Sequence, residues 1–194
     1  MPNLRGTRTA ANLMQSFAGE SQARMRYTYY AKEAKKEGFV QISNIFEETA
    51  ANEQEHAKRF FKFLNKDLQG STVKITADFP VTLGNTLTNL RSAAAGENEE
   101  HSDLYPEFAR VAKEEGFEEI SEVFIEIAEA EERHERRFLK LIDNIMNNKV
   151  FEKDEVVEWK CNNCGYVHTG NKAPDICPAC DHAKDYFEVF VETY

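Results

Sequence analysis

The chain has 194 residues, of which 30% are charged and 41% are hydrophobic, as is usual for a globular protein. Its formal net charge of −10 repels a phosphate backbone, so a nucleic-acid partner is not expected. No apolar run has the length of a transmembrane helix, and residues 1–11 lack the apolar stretch of a secretory signal, so we expect a cytoplasmic protein without a membrane partner. The acidity fits either an ordinary solvated surface or a set of metal-binding carboxylates.

Most of the chain consists of two copies of one unit. The Glu-x-x-His sequence that begins at Glu53 returns 78 positions later at Glu131, and the glycine at Gly38 returns with the same separation at Gly116. Further upstream, an Ala-Gly-Glu sequence also occurs twice, but these two copies are 77 positions apart. Such a repeat indicates two equivalent helix hairpins.

Four segments, within residues 13–31, 42–63, 87–111 and 120–145, carry apolar residues at spacings of three and four, which is typical of amphipathic helices. Gly38 and Gly116 suit the left-handed residue that follows a helix, so each hairpin is expected to turn there. A long connection from Asn65 to about Leu83 contains a short β-like segment at residues 72–75. Two antiparallel hairpins and one long crossover predict a mainly α, ferritin-like four-helix bundle over residues 1–147.

The two copies of the repeat differ in length by one residue, which is gained between Glu97 and Glu115. An extra residue inside a helix is commonly absorbed as a π-bulge, often at a functional site. We therefore expect a π-helical segment near Tyr105.

Each predicted helix places one glutamate on its apolar face, and two helices add a histidine three residues later. These residues are Glu20, Glu53, His56, Glu97, Glu131 and His134. One Glu-x-x-His pair alone would more often be a solvated pair on a helix surface, but four carboxylates in one core need cations to offset their charge. One glutamate from each of two helices and Glu-x-x-His from each of the other two form the ligand set of di-iron and di-manganese bundles.

Further candidates lie near this predicted site. Glu100 follows Glu97 by three positions and can face the same site as a fifth carboxylate. Tyr27 and Tyr105 are equivalent in the repeat, and they are either core aromatic residues or hydrogen-bond donors to the ligand carboxylates. His101 is expected at the surface or beside the ligands.

Residues 153–194 form a second, much smaller unit that contains every cysteine of the chain. Cys161, Cys164, Cys177 and Cys180 form two Cys-x-x-Cys pairs, which is the spacing of a tetrahedral four-thiolate metal site. A unit this small cannot fold on an apolar core alone, so a metal is expected to hold it together. Zinc would make it a structural ribbon and iron a one-electron carrier, and the spacing does not decide between them.

Together these motifs resemble the rubrerythrin family over nearly the whole chain. The resemblance rests on residues 18–24 and 95–100, on both Glu-x-x-His pairs and on the two cysteine pairs, which are similar to those of rubredoxin. It implies a di-iron bundle followed by a rubredoxin-like domain with one iron. It also implies a peroxidase that reduces hydrogen peroxide to water, with electrons relayed through the rubredoxin-type iron from a separate rubredoxin or NAD(P)H-dependent reductase.

The resemblance implies a role for each ligand of the di-iron site. Glu53 and Glu131 would bridge the two irons. Glu20 would bind one iron, and Glu97 with His134 would bind the other.

Glu100 and His56 would, by the same resemblance, exchange as ligands of the first iron when its oxidation state changes. The family further implies a role in oxidative-stress defence and a homodimer or larger homo-oligomer. Three alternatives stay open from the sequence: a ferroxidase or iron-handling protein, an oxidase that acts on dioxygen, and a zinc-binding interaction module.

Overall fold

The computed structural model describes residues 3–193, so the outermost residues of the two predicted domains, Met1, Pro2 and Tyr194, lie outside the described residues. The helices are α1 (Arg8–Lys36), α2 (Val40–Leu68), α3 (Thr86–Glu99), α4 (Tyr105–Glu114) and α5 (Glu118–Met146). A π-helical segment, Glu100–Leu104, joins α3 to α4 without a break, so these three pieces form one long helix. The predicted mainly α fold with four long helices is confirmed, and so is the π-helical segment near Tyr105.

Both hairpins turn on a glycine, as predicted. Gly38 and Gly116 each have a φ of +82°, a left-handed conformation that an L side chain rarely adopts. In the first turn, Gly38 N–H donates to Lys35 O at 3.2 Å and Phe39 N–H donates to Ala34 O at 2.8 Å, and the second turn has the same pair of bonds. These bonds cap the carbonyls at the end of a helix, so α1 and α4 end where the sequence predicted.

The crossover that joins the two hairpins occupies residues 69–85 and contains neither helix nor strand. The prediction of a strand-like segment at residues 72–75 was therefore wrong. A strand needs a neighbouring strand to pair its backbone groups, and this segment lies against helices instead, with Val73 packed on the apolar core.

Two apolar clusters fill the bundle, and the predicted ligand glutamates lie between them. Leu13 and Phe60 belong to one cluster, and Tyr27 and Phe46 belong to the other. On α1 and α2, each ligand glutamate lies between a residue of the first cluster and a residue of the second. The helices therefore bring a polar layer to the middle of an otherwise apolar core.

The C-terminal part is a small antiparallel sheet of strand order β2-β1-β3, made of β1 (Glu152–Cys161), β2 (Val167–Lys172) and β3 (Phe187–Val189). It packs on the turn between α1 and α2. There the Phe39 and Phe151 rings stack with centroids 6.3 Å apart, and a Cβ added to Gly38 would lie 2.9 Å from Asp185. The division into domains at residues 147 and 153 stays a prediction.

Candidate metal centres

The four predicted ligand glutamates meet in the middle of the bundle, and each comes from a different long helix. Glu20 and Glu131 are 0% exposed, and Glu53 and Glu97 are 1% exposed. A buried carboxylate without a partner carries a penalty of several kcal/mol. A layer of four such groups therefore requires positive charge.

Two histidines approach this layer from α2 and α5. His56 Nδ1 lies 2.8 Å from Glu131 Oε1 and 3.1 Å from Glu53 Oε2. His134 Nδ1 lies 2.7 Å from Glu131 Oε2 and 3.3 Å from Glu53 Oε1. Each histidine thus contacts a different oxygen of the same two carboxylates, as the internal repeat would require.

The potential ligand atoms fall into two groups, and within each group they lie no more than 4.8 Å apart. The groups are Glu20, Glu53, His56 and Glu131, and Glu53, Glu97, Glu131 and His134. Many of these atoms are buried and have no aligned hydrogen bond within residues 3–193, namely Glu20 Oε2, Glu53 Oε1, Glu97 Oε2, both oxygens of Glu131 and His134 Nδ1. Ligand atoms that point at a shared cation lie close together but are not aligned for hydrogen bonds with one another. The cluster has this arrangement and therefore fits two metal ions.

Protons on the histidines offset part of the buried charge when no metal is bound. Burial lowers the pKa of His56, but the oxygens of Glu131 and Glu53 outweigh it and raise the pKa to about 10. The same opposing causes raise the pKa of His134. Burial, followed by the charge of Glu131, raises the pKa of Glu20 well above its ordinary value.

The two predicted tyrosines each donate a hydrogen bond to a ligand glutamate. Tyr27 Oη lies 2.6 Å from Glu97 Oε1, and Tyr105 Oη donates to Glu20 Oε1. Burial raises the pKa of both phenols well above the ordinary value, so both remain protonated donors. These bonds orient Glu97 and Glu20, in addition to the part that both tyrosines take in the aromatic core.

Glu100 is placed differently from the other carboxylates. It is the first residue of the π-helical segment and half-buried, and it belongs to neither group of converging ligand atoms. Its Oε1 lies 3.8 Å from the position that a Cβ on Gly19 would take, so the side chain rests against α1 next to Glu20. Burial, then the charge of Glu97, raises its pKa well above the ordinary value.

Two charged contacts near the cluster were not found from the sequence. His101 Nε2 lies 2.7 Å from Glu135 Oε2 and ties the π-helical segment to α5. Arg26 donates from Nε to Gln22 Oε1 at 2.6 Å. No spacing pattern marks Arg26, because the second copy of the repeat has no arginine at either possible equivalent position, 103 or 104.

The four cysteines of the C-terminal domain come together, and their sulfur atoms all lie within 4.8 Å of one another. The Cys161 and Cys180 sulfurs are 3.8 Å apart, and the Cys164 and Cys177 sulfurs are 3.7 Å apart. Burial raises the pKa of the Cys180 thiol, but the backbone N–H of His182 and neighbouring thiols lower it to about 6. Four converging sulfurs, one of them readily ionised, fit a tetrahedral metal ion.

Within residues 3–193, every helix is too short or too polar to cross a membrane. A four-helix bundle with a buried glutamate–histidine cluster, followed by a domain with four converging cysteines, defines a di-iron carboxylate protein with a rubredoxin-type site.

The chain belongs to the rubrerythrin family. The family model for rubrerythrin matches residues 11–142, and the model for the rubrerythrin rubredoxin-like domain matches residues 159–188. Rubrerythrin from Clostridium perfringens is 62% identical over 195 residues, which cover 100% of both chains. The structure of partially reduced nigerythrin is 32% identical, with a TM-score of 0.64 and coverage of 97% of this chain and 92% of that chain.

A bacterioferritin from Desulfovibrio desulfuricans is 20% identical and matches with a TM-score of 0.66 over 73% of this chain and 82% of that chain, which shows the fold alone. The predicted family, ferritin-like fold and rubredoxin-like domain are thus confirmed. So are the cofactors, a di-iron site in the bundle and an iron in the four-cysteine domain. The role of each ligand stays a prediction.

Proposed function

We propose that this chain is a peroxidase that reduces hydrogen peroxide to water in oxidative-stress defence, in a cytoplasm where its thiols stay reduced. The observation that carries the proposal is the presence in one chain of two ligand groups for a pair of metal ions and of a four-cysteine site for a third. In the overall reaction, one hydrogen peroxide takes up two electrons and two protons, its O–O bond breaks, and two water molecules form. When bound and reduced, the iron pair supplies the two electrons.

The division of ligand roles is supported by the two groups of converging atoms. Glu53 and Glu131 belong to both groups, which supports a bridging role for these two carboxylates. The other ligands divide between the two ions, Glu20 with His56 and Glu97 with His134. The hydroxyls of Tyr27 and Tyr105 hold a carboxylate of each pair in place, because buried ligands need such support to keep their orientation.

Glu100 is proposed to exchange with His56 as a ligand of the ion on the Glu20 side. Its position against Gly19, directly beside Glu20, supports this proposal. The π-helical segment begins at Glu100, and such segments inside α-helices are frequent at functional sites. Glu100→Ala should keep the iron but slow the turnover of peroxide, whereas Asp103→Ala, which removes an exposed carboxylate from the same π-helical segment, should change neither. Unchanged turnover in Glu100→Ala would remove the ligand-exchange proposal.

Electrons are proposed to reach the bundle from the four-cysteine iron of a partner subunit. The C-terminal domain packs at Gly38, and about 15 residues of α2 separate that turn from Glu53, which corresponds to roughly 22 Å at the helical rise per residue. So long a path within one chain favours a homodimer or larger oligomer in which the two sites of different subunits approach each other. The first donor would be a separate rubredoxin or NAD(P)H-dependent reductase, since the sequence carries no glycine-rich nucleotide-binding motif.

Turnover measurements on the iron-loaded protein separate the parts of this proposal. With an electron donor present, the wild-type protein should consume peroxide repeatedly. Cys161→Ser should consume only as many peroxide molecules as there are reduced iron pairs and then stop, and Glu131→Gln should consume none. Faster oxidation by dioxygen than by peroxide would favour an oxidase or a ferroxidase, and zinc in the four-cysteine site of the purified protein would favour an interaction module.

A further inference from the structure

A cavity of about 330 Å³ lies beside the glutamate cluster, between α1, the π-helical segment and the crossover. Its lining includes Gly19, Gln22, Arg26, Phe79, Glu100 and Tyr105. One water molecule takes up about 30 Å³ in the liquid, so the cavity has room for several small molecules. Cavities of about 380 and 450 Å³ elsewhere on the chain are not lined by the glutamate–histidine cluster or by the four cysteines.

Arg26 supplies hydrogen-bond donors to this cavity. Its Nε is occupied by Gln22, but its Nη1 is buried and has no hydrogen-bond partner within residues 3–193. The guanidinium lies across α3, where a Cβ on Gly96 would be 4.0 Å from Nη2. A buried donor without a partner is costly, so this nitrogen needs an acceptor that the protein itself does not provide.

Glu100 contributes a carboxyl group to the lining of the same cavity. Its carboxylate accepts no hydrogen bond from a side chain and forms no ion pair with Arg26 in the part of the chain that the structure describes, although the charge of Arg26 acts on it. The cavity is therefore lined by a donor and by a carboxyl group that do not hydrogen-bond to each other in the described part of the chain. A small molecule between them would have to accept a hydrogen bond from Arg26 and form a hydrogen bond with the carboxyl group of Glu100.

We propose that hydrogen peroxide binds in this cavity between Arg26 and Glu100 before it reaches the metal ligands, an inference that rests on the proposed function. Hydrogen peroxide carries both O–H donors and oxygen acceptors, and it is small enough for the cavity. Glu100 is also the residue proposed to exchange as a ligand, so peroxide held at its carboxylate is delivered to the Glu20 side of the cluster.

Phe79 closes one side of the cavity and limits the size of the peroxide. The position that a Cβ on Gly19 would take lies 3.8 Å from Phe79 Cε1. The same position lies 3.8 Å from Glu100 Oε1. Phe79 belongs to the crossover and is 40% exposed, so it stands at the outer edge of the cavity. An organic hydroperoxide with a bulky apolar group would collide with this ring.

Substitutions of Arg26 test the binding site. Arg26→Leu removes every donor and should lower the second-order rate constant of the reduced, iron-loaded protein with hydrogen peroxide by about 10- to 100-fold, the factor for a lost hydrogen bond to a charged group. Arg26→Gln keeps an N–H donor and should lose much less. Arg24→Leu is the matched control, because it removes the same charge from the same helix but lines a different cavity. The iron content and the maximal rate at saturating peroxide should stay unchanged in all three variants.

Gly19→Ala is a second test that keeps the side chain of Arg26. The added methyl makes only ordinary contacts at 3.8 Å, so the fold tolerates it, but it fills the space between Glu100 and Phe79. We expect slower reaction with hydrogen peroxide in Gly19→Ala, and a faster reaction with cumene hydroperoxide in Phe79→Ala than in the wild type.

Crystals of the metal-free protein give a readout that does not depend on turnover. After a soak in hydrogen peroxide, density should bridge Arg26 Nη1 and the Glu100 carboxylate, and it should be absent in Arg26→Leu. Wild-type rates in both Arg26→Leu and Gly19→Ala, or a cavity without bridging density, would overturn this inference and leave the proposed peroxidase intact. If the reduced, iron-loaded wild-type protein did not react with hydrogen peroxide in solution, the proposed function would be overturned instead.

Discussion

Iron binding to the bundle should release protons, and the metal-free cluster predicts how many. The pKa of His56 is about 10 and that of His134 is also raised, so both imidazoles are protonated near pH 7 and each must lose a proton to bind a metal. Glu20 and Glu100, whose pKa values are raised well above the ordinary range, hold further protons. At least two protons should therefore leave, and iron affinity should rise about a hundredfold per pH unit for two protons.

The direction in which iron affinity changes with pH follows from the raised pKa values of the two histidines. Because both pKa values lie above the ordinary value, the competing protons stay bound through the neutral range, so affinity should increase as pH rises and level off only as it approaches about 10. Anaerobic calorimetric titration of ferrous iron in two buffers of different ionisation enthalpy measures the proton count, after the four-cysteine site has been filled. His134→Ala should release one proton fewer than the wild type. Affinity that does not change between neutral and mildly alkaline pH would refute the reasoning.

Four substitutions test other parts of the structure. Tyr105→Phe removes the hydroxyl that donates to Glu20 and should lower iron affinity about 10- to 100-fold in a chelator competition. Gly38→Ala and Gly116→Ala each place a side chain at a φ of +82°, at a cost of about 1–2 kcal/mol in the free energy of unfolding. Gly38→Ala should cost more, because its Cβ would lie 2.9 Å from the C-terminal domain, and equal losses would contradict that contact. Cys177→Ser should unfold the C-terminal domain but leave the far-ultraviolet helix signal of the bundle unchanged.

The internal repeat made much of the bundle predictable from the sequence. Equivalent positions of the two copies lie at a fixed separation, so a turn at Gly38 predicts a second turn at Gly116. Glycine suits both turns because the residue after the helix adopts a left-handed backbone conformation. The single extra residue before Tyr105 similarly located the π-helical segment, because an insertion in a continuous helix must be absorbed close to where it occurs.

Features that depend on contacts between distant segments could not be predicted in this way. The segment at residues 72–75 has strand-forming residues but no neighbouring strand, so its sequence was misleading. Arg26 gains its unpaired nitrogen only because the crossover and α3 close a cavity around it, and no spacing along α1 reveals that arrangement. The contact of His101 with Glu135 likewise depends on how α5 packs against the π-helical segment.

The reaction of the fully reduced protein with peroxide tests the proposed function most directly. The iron-loaded protein is reduced without oxygen, mixed with hydrogen peroxide near stoichiometry, and followed by the visible absorption of the ferric four-cysteine site. Peroxide reduction in the bundle predicts that this colour returns rapidly, and faster than with dissolved oxygen, because the two iron sites exchange electrons. Colour that returns no faster with peroxide than with dissolved oxygen would contradict a peroxidase.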